Sequence, residues 1–111
     1  MTDMLLVYIT CGSIEQAEDI GRQLLDEKIS SCINILPQMH SMYLWPPQSG
    51  QIEKAQEVVL LAKTIESKFA ELAKFVTKIH TYDTPCIIAL PVAHVSDKYY
   101  RWIKGELAPP K

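Results

Sequence analysis

Three cysteines and three histidines hold most of the metal-binding and nucleophilic chemistry open to this chain of 111 residues. Cys11, Cys32 and Cys86 are odd in number and include no Cys-x-x-Cys pair. That argues against a disulfide scaffold and against a structural zinc site. His80 stands where a helical pattern gives way to the loop His80–Pro85, and Cys86 follows that loop. Imidazole is the commonest metal ligand and titrates near neutrality. Cys86 adds a soft thiolate, and Cys11 would add another from a neighbouring strand. A nitrogen and sulfur set of this kind suits copper(I) or zinc better than magnesium or calcium. Asp83 lies in the same loop, where it could accept the His80 ring N–H or join a ligand shell. Each residue also has a plainer use. His80 would cap helix carbonyls, the cysteines would pack as small apolar residues, and Asp83 would face water. His40 and His94 read as surface residues.

Catalytic signatures are absent from the sequence. It has no Gly-x-Ser-x-Gly, no phosphate loop, no His-Glu-x-x-His and no paired catalytic carboxylates. A Cys–His nucleophile pair stays open, because sequence does not fix distances. The reading is of a protein that is not an enzyme.

The elements that must position these groups follow from apolar periodicity. Met4–Cys11 is a continuous apolar run suited to a strand buried on both faces. Ser13 and Gln16 form a capping box, and Ile14, Ala17, Ile20, Gly21, Leu24 and Leu25 then recur with helical spacing to about Lys28. The stretch Ser30–Trp45 reads as one long strand, broken only at Pro37. Ile33, Ile35, Met39, Ser41, Tyr43 and Trp45 would share one side of it. Pro46–Gly50 is a turn, and Ile52–Thr64 is the return strand, with Glu53, Lys54 and Glu57 at its wetter start. Ser67 would cap a helix carrying Phe69, Leu72, Ala73, Val76 and Ile79. Cys86–Leu90 is a short buried strand. Ser96 and Asp97 would cap a last helix with Tyr99, Tyr100, Trp102, Ile103 and Leu107, and Ala108–Lys111 is a tail.

This order, β-α-β-β-α-β-α, predicts an α+β fold. It is a single ferredoxin-like domain over residues 1–111, with a long β2–β3 hairpin and an extra C-terminal helix. The fold alone settles no function. The long strand would measure roughly 50 Å at about 3.3 Å per residue, whereas a domain of this length has a radius of gyration of about 13 Å. Part of the strand should overhang. An overhanging apolar edge needs a partner, so self-assembly by strand pairing is expected.

Bulk composition narrows the partners. The chain is 48% hydrophobic and 22% charged, as ordinary soluble domains are. A net charge of −2 argues against nucleic-acid binding. No apolar run approaches the ~20 residues that span a bilayer. Met1-Thr2-Asp3-Met4 lacks the basic region and cleavage site of a signal peptide, so a cytoplasmic location is expected.

Four strings carry a resemblance. They are Ser31–Pro37, Ser41–Trp45, Glu57–Thr64 and Ile88–Val92, and Tyr99–Ile103 adds a similar closing helix. Together they resemble the CutA divalent-cation tolerance proteins over nearly the whole chain. The resemblance implies a tightly packed homotrimer joined by intersubunit strand pairing, a cytoplasmic location, and an association with copper and other divalent cations such as zinc. The family's loop before its last strand usually reads His-Pro-Tyr and then Pro-Glu. Here Thr81 replaces the proline and Cys86 the carboxylate. Some relatives carry a cysteine late in the first strand, at the slot of Ile9, two residues before Cys11. In such a trimer, Tyr43, Trp45, Tyr82 and Trp102 would line an intersubunit cleft, with Lys63 binding an anion or a carboxylate there. Two functions stay open. One is a trimeric metal-binding protein with His80, Cys86 and Cys11 as ligands, involved in the response to metal ions. The other is a trimeric signalling or interaction protein that takes a small ligand or partner in its clefts.

Overall fold

The structure is a computed structural model, and it describes residues 2–108. Met1 and the expected tail residues Pro109, Pro110 and Lys111 lie outside the described residues. The chain runs β1 (Met4–Cys11), α1 (Ile14–Asp26), β2 (Cys32–Leu44), β3 (Ile52–Ile65), α2 (Phe69–Ile79), β4 (Ile87–Pro91) and α3 (Asp97–Leu107). The four strands form one antiparallel sheet in the order β2-β3-β1-β4. This is the expected ferredoxin-like arrangement with its extra helix.

Alternation sorts the strand residues between two faces. Leu5, Val7, Ile9 and Cys11 of β1 join Val58, Leu60 and Ala62 of β3 on one face. There they meet Ala17, Ile20 and Leu24 of α1 and Leu72 and Val76 of α2. Gly21 allows α1 to lie close to the sheet: a Cβ there would come within 2.0 Å of the Ile33 Cδ1. The other face is covered at one end only. There α3 packs Ile103 and Leu107 on Met4 and Ile65.

Caps explain where the helices begin. The Ser13 Oγ accepts the Gln16 N–H at 3.1 Å, as the capping box requires. The Gln16 side chain turns to Gly12, accepting its N–H at 2.7 Å. α1 stops two residues short of the expected Lys28, which adopts a left-handed φ of 55°. Ser67 does not cap α2. It sits inside a single 3-10 turn, Glu66–Lys68, and the cap position falls to Lys68 with no side-chain bond. Ser96 holds the cap position of α3, also without a side-chain bond. Ser30 and Ser31 precede β2, and Cys86 precedes β4.

The long hairpin departs from simple alternation. Leu36 pairs with Val59 and Met39 with Glu57, so β2 passes three residues while β3 passes two. This bulge holds Pro37, a residue that sheets tolerate at such irregularities. One extra residue reverses every later side chain. Ile33 and Ile35 face the helices, whereas Met39, Ser41 and Tyr43 share the opposite face with Glu57 and Ala55. The expectation that all of them share one side fails for this reason. Beyond Glu57, the ladder from Met39↔Glu57 to Leu44↔Ile52 has no third strand, because β1 pairs no further than Val58. The hairpin therefore overhangs. The molecule measures 49 × 26 × 24 Å, with a radius of gyration of 15.0 Å.

Candidate functional site: a groove over Glu57

At the root of the overhang, on the face turned away from α1 and α2, lies a groove of about 800 Å³. Tyr8 and Thr10 form its floor from β1. Met39, Tyr43 and Trp45 come from the hairpin, and Tyr82, Asp83 and Cys86 from the loop before β4. Glu57 is buried, and its carboxylate opens into this groove.

The loop is held at three points. His80 ends α2, and its backbone N–H donates to the Val76 carbonyl at 2.8 Å. Its ring Nδ1 accepts the Tyr82 N–H at 3.0 Å, which leaves Nε2 to donate to the Thr10 carbonyl at 2.8 Å. The Thr81 hydroxyl accepts from Gln16 Nε2 at 2.7 Å, tying the loop to the start of α1. These bonds deliver the Tyr82 hydroxyl to Glu57, where it donates to Oε2 at 2.9 Å.

The electrostatics follow from burial around one carboxylate. Burial, and then the hydrogen bond to Glu57, raise the Tyr82 phenol above its usual range. Burial and then the Glu57 charge push the Cys86 thiol up. The same two causes, in the same order, raise Cys11 to about 11. Burial is also the first cause of the raised Tyr8 phenol, which donates to the Met39 sulfur at 3.1 Å.

The metal centre expected from His80, Cys86 and Cys11 does not form within one chain. Both ring nitrogens of His80 are already engaged by backbone groups. Cys11 is fully buried in the core between sheet and helices, whereas Cys86 lines the groove on the other face. Asp83 does not take the His80 N–H, which Thr10 holds. Among the described residues no cluster of three His, Cys, Asp or Glu side chains could hold a metal ion. The donor set therefore does not fit a metal bound by a single subunit.

The expected cleft divides in two. Tyr43, Trp45 and Tyr82 line the groove. Lys63 and Trp102 lie elsewhere, with Tyr99. The Lys63 ammonium bonds the Tyr99 hydroxyl at 3.1 Å, and the Tyr99 ring stacks on Trp102 at 5.8 Å. That hydrogen bond, set against some desolvation, holds the Lys63 ammonium above its usual range. Glu57, Tyr8 and Met39 are the groove residues that sequence reasoning passed over. Glu57 was expected at a wet strand start. Its alternation with Val59 and Leu61 was the available sign that it shares their face.

Residues 5–106 match the family model for the CutA1 divalent ion tolerance protein. The divalent-cation tolerance protein CutA of Archaeoglobus fulgidus is 40% identical over 97 residues, spanning 87% of this chain and 91% of that protein. The Protein CutA homolog of Xenopus laevis is 35% identical; the match spans 92% of this chain and 65% of that longer protein. Among solved structures, CutA from Xylella fastidiosa superposes with a TM-score of 0.90 at 33% identity, covering 96% of this chain and all of that one. The structure described as periplasmic CutA from Archaeoglobus fulgidus gives 0.89 at 36% identity, covering 95% and 99%.

Proposed function

The chain belongs to the CutA1 divalent ion tolerance protein family, and from that premise we propose that it is a homotrimeric binding protein whose working site is the groove over Glu57. The observation that carries this reading is the Glu57 carboxylate, which is buried, met by Tyr82, and in no ion pair among the described residues. A buried charge without a counter-ion is costly unless something compensates it, and the groove gives a ligand access to it. Copper or another divalent ion, in this reading, acts on the assembled trimer and not on a centre inside one subunit.

The protein is read as a binding protein and not an enzyme. His80 has no free nitrogen to serve as a base for Cys86, and a thiol pushed up by burial is a weak nucleophile at neutral pH. A reducing compartment, the cytoplasm, is supported by three free cysteines. No helix among the described residues is long and apolar enough to cross a membrane.

Two measurements on metal-free protein test this reading. Sedimentation should give three times the mass of the chain. Titration with copper(I), copper(II) and zinc should give the same affinities for wild type and His80→Ala. A stable monomer at micromolar concentration, or the loss of one metal site per subunit in His80→Ala, would sink the proposal.

A further inference from the structure

We propose that the groove over Glu57 binds a small organic ammonium ion, with its charge against the Glu57 carboxylate and its alkyl body against the aromatic walls. This deepens the reading of the groove as the working site and rests on it.

The first argument is charge. Tyr82 covers one oxygen of Glu57. The other, Oε1, makes no hydrogen bond among the described residues, yet no buried side-chain oxygen there is left unpaired. Oε1 therefore keeps an opening. Glu57 also borders a smaller cavity of about 290 Å³, but its side chain shares the face of Met39 and meets Tyr82, both of which line the groove. No lysine or arginine lines that groove among the described residues, and Asp83 adds a second carboxylate at its mouth. Its two carboxylates attract cations, and the exposed His40 is the one basic side chain along it among the described residues.

The second argument is the walls. Tyr8, Tyr43, Trp45 and Tyr82 present aromatic rings, whose faces are electron-rich and attract ammonium groups. Elsewhere the chain fills such positions itself. The Lys63 ammonium lies 5.3 Å from the centre of the Tyr99 ring, and that of Lys104 lies 5.7 Å from the Tyr100 ring. Among the described residues the groove alone combines aromatic rings and a buried carboxylate with no lysine or arginine. Its volume falls within the range of small-molecule sites.

The third argument separates an organic cation from a metal ion. Calcium or magnesium needs about six or more oxygen ligands, and the groove's carboxylate ligands come to the free oxygen of Glu57 and one exposed aspartate. Softer ions need clustered sulfur and nitrogen donors, and no such cluster is present among the described residues. Rings and a single charge match a cation that carries its own apolar surface.

The test is calorimetry on the full, assembled protein with hexylammonium and tetramethylammonium, and with hexanol as the uncharged control. The Trp45 indole N–H signal in the NMR spectrum locates binding. Hexylammonium should bind about tenfold more tightly than hexanol and shift that signal. Glu57→Gln keeps a group able to accept from Tyr82 and should lower the ammonium affinity by about tenfold, leaving hexanol unchanged. Trp45→Leu, at the half-buried rim, should weaken ammonium binding even if Glu57→Gln fails to fold. Equal affinity for hexanol would overturn the proposal. So would the absence of ammonium binding by the assembled protein, which is the result expected if a second copy fills the groove. Zinc or copper binding that depends on Glu57, with no ammonium binding, would assign the carboxylate to a metal instead. Sedimentation of the same samples keeps the two ideas apart: a monomer that binds ammonium removes the trimer and leaves this inference standing.

Discussion

His80 joins three parts of the chain through its two ring nitrogens and its own backbone. Truncating it would leave the buried Thr10 carbonyl and the Tyr82 N–H without partners, so His80→Ala should cost about 1–3 kcal/mol in urea unfolding. The release of Tyr82 should also weaken ammonium binding in the groove. A variant as stable as wild type would show that the two bonds carry nothing. Cys11 gives a prediction in pH. Its thiol rises from an ordinary 9.0 to about 11 in the folded state, so between those values the unfolded chain gives up the proton first. The associated stability is complete below pH 9 and is lost as the pH climbs through about 11. Unfolding midpoints measured across that window should fall for wild type and fall less steeply for Cys11→Ala. Identical slopes would count against a buried neutral thiol. The site was legible in part at this scale. The residue types in the loop after α2 flagged the right segment, and the aromatic pair Tyr43 and Trp45 flagged the right hairpin. How His80 is used was not legible, because the carbonyl that takes its N–H lies 70 residues away. Glu57 was missed for the same reason: Tyr82 and the loop bury it, and neither is near it in sequence.

Between Leu36 and Met39 a single extra residue decides which side chains reach the groove. Elements and their order were legible because apolar runs and turn residues mark them locally. The bulge was not, since Pro37 shows that a strand is disturbed but not by how many residues. Deleting Gln38 should restore plain alternation through the hairpin. Met39 would then follow Pro37 directly and still pair with Glu57, so Met39, Ser41 and Tyr43 would keep the groove face. The core below the bulge holds its own packing around Leu60, which is fully buried, so the variant should keep its circular dichroism spectrum. Its Tyr8 should keep the Met39 sulfur, and any ligand shift at the Trp45 indole should survive. Loss of the ligand shift in the folded deletion variant would show that the bulge itself, and not only the register beyond it, builds the site.

One face of the sheet is half finished within a single subunit. α3 covers the Met4 and Ile65 end, but Leu36, Ile88 and Leu90 stay about half exposed. Ile88 and Leu90 lie on β4, one of the two sheet edges, opposite Tyr8 and Leu6. The overhanging ribbon adds Met42, Leu44 and Ile52, each about two-thirds exposed. A two-stranded ribbon is marginal alone in water, and an apolar edge of this kind pairs with another chain unless something blocks it. The proposed trimer would bury both features together. Leu90→Lys should therefore break the assembly while costing the subunit's own fold only about 0.5 kcal/mol, since the side chain is already half in water. Mass action supplies the readout. Folding coupled to assembly makes the thermal midpoint rise with protein concentration. Wild type should show that rise, and Leu90→Lys should sediment as a folded monomer with a midpoint independent of concentration. A trimer that survives both Leu90→Lys and Ile88→Asp would place the joint on the ribbon alone.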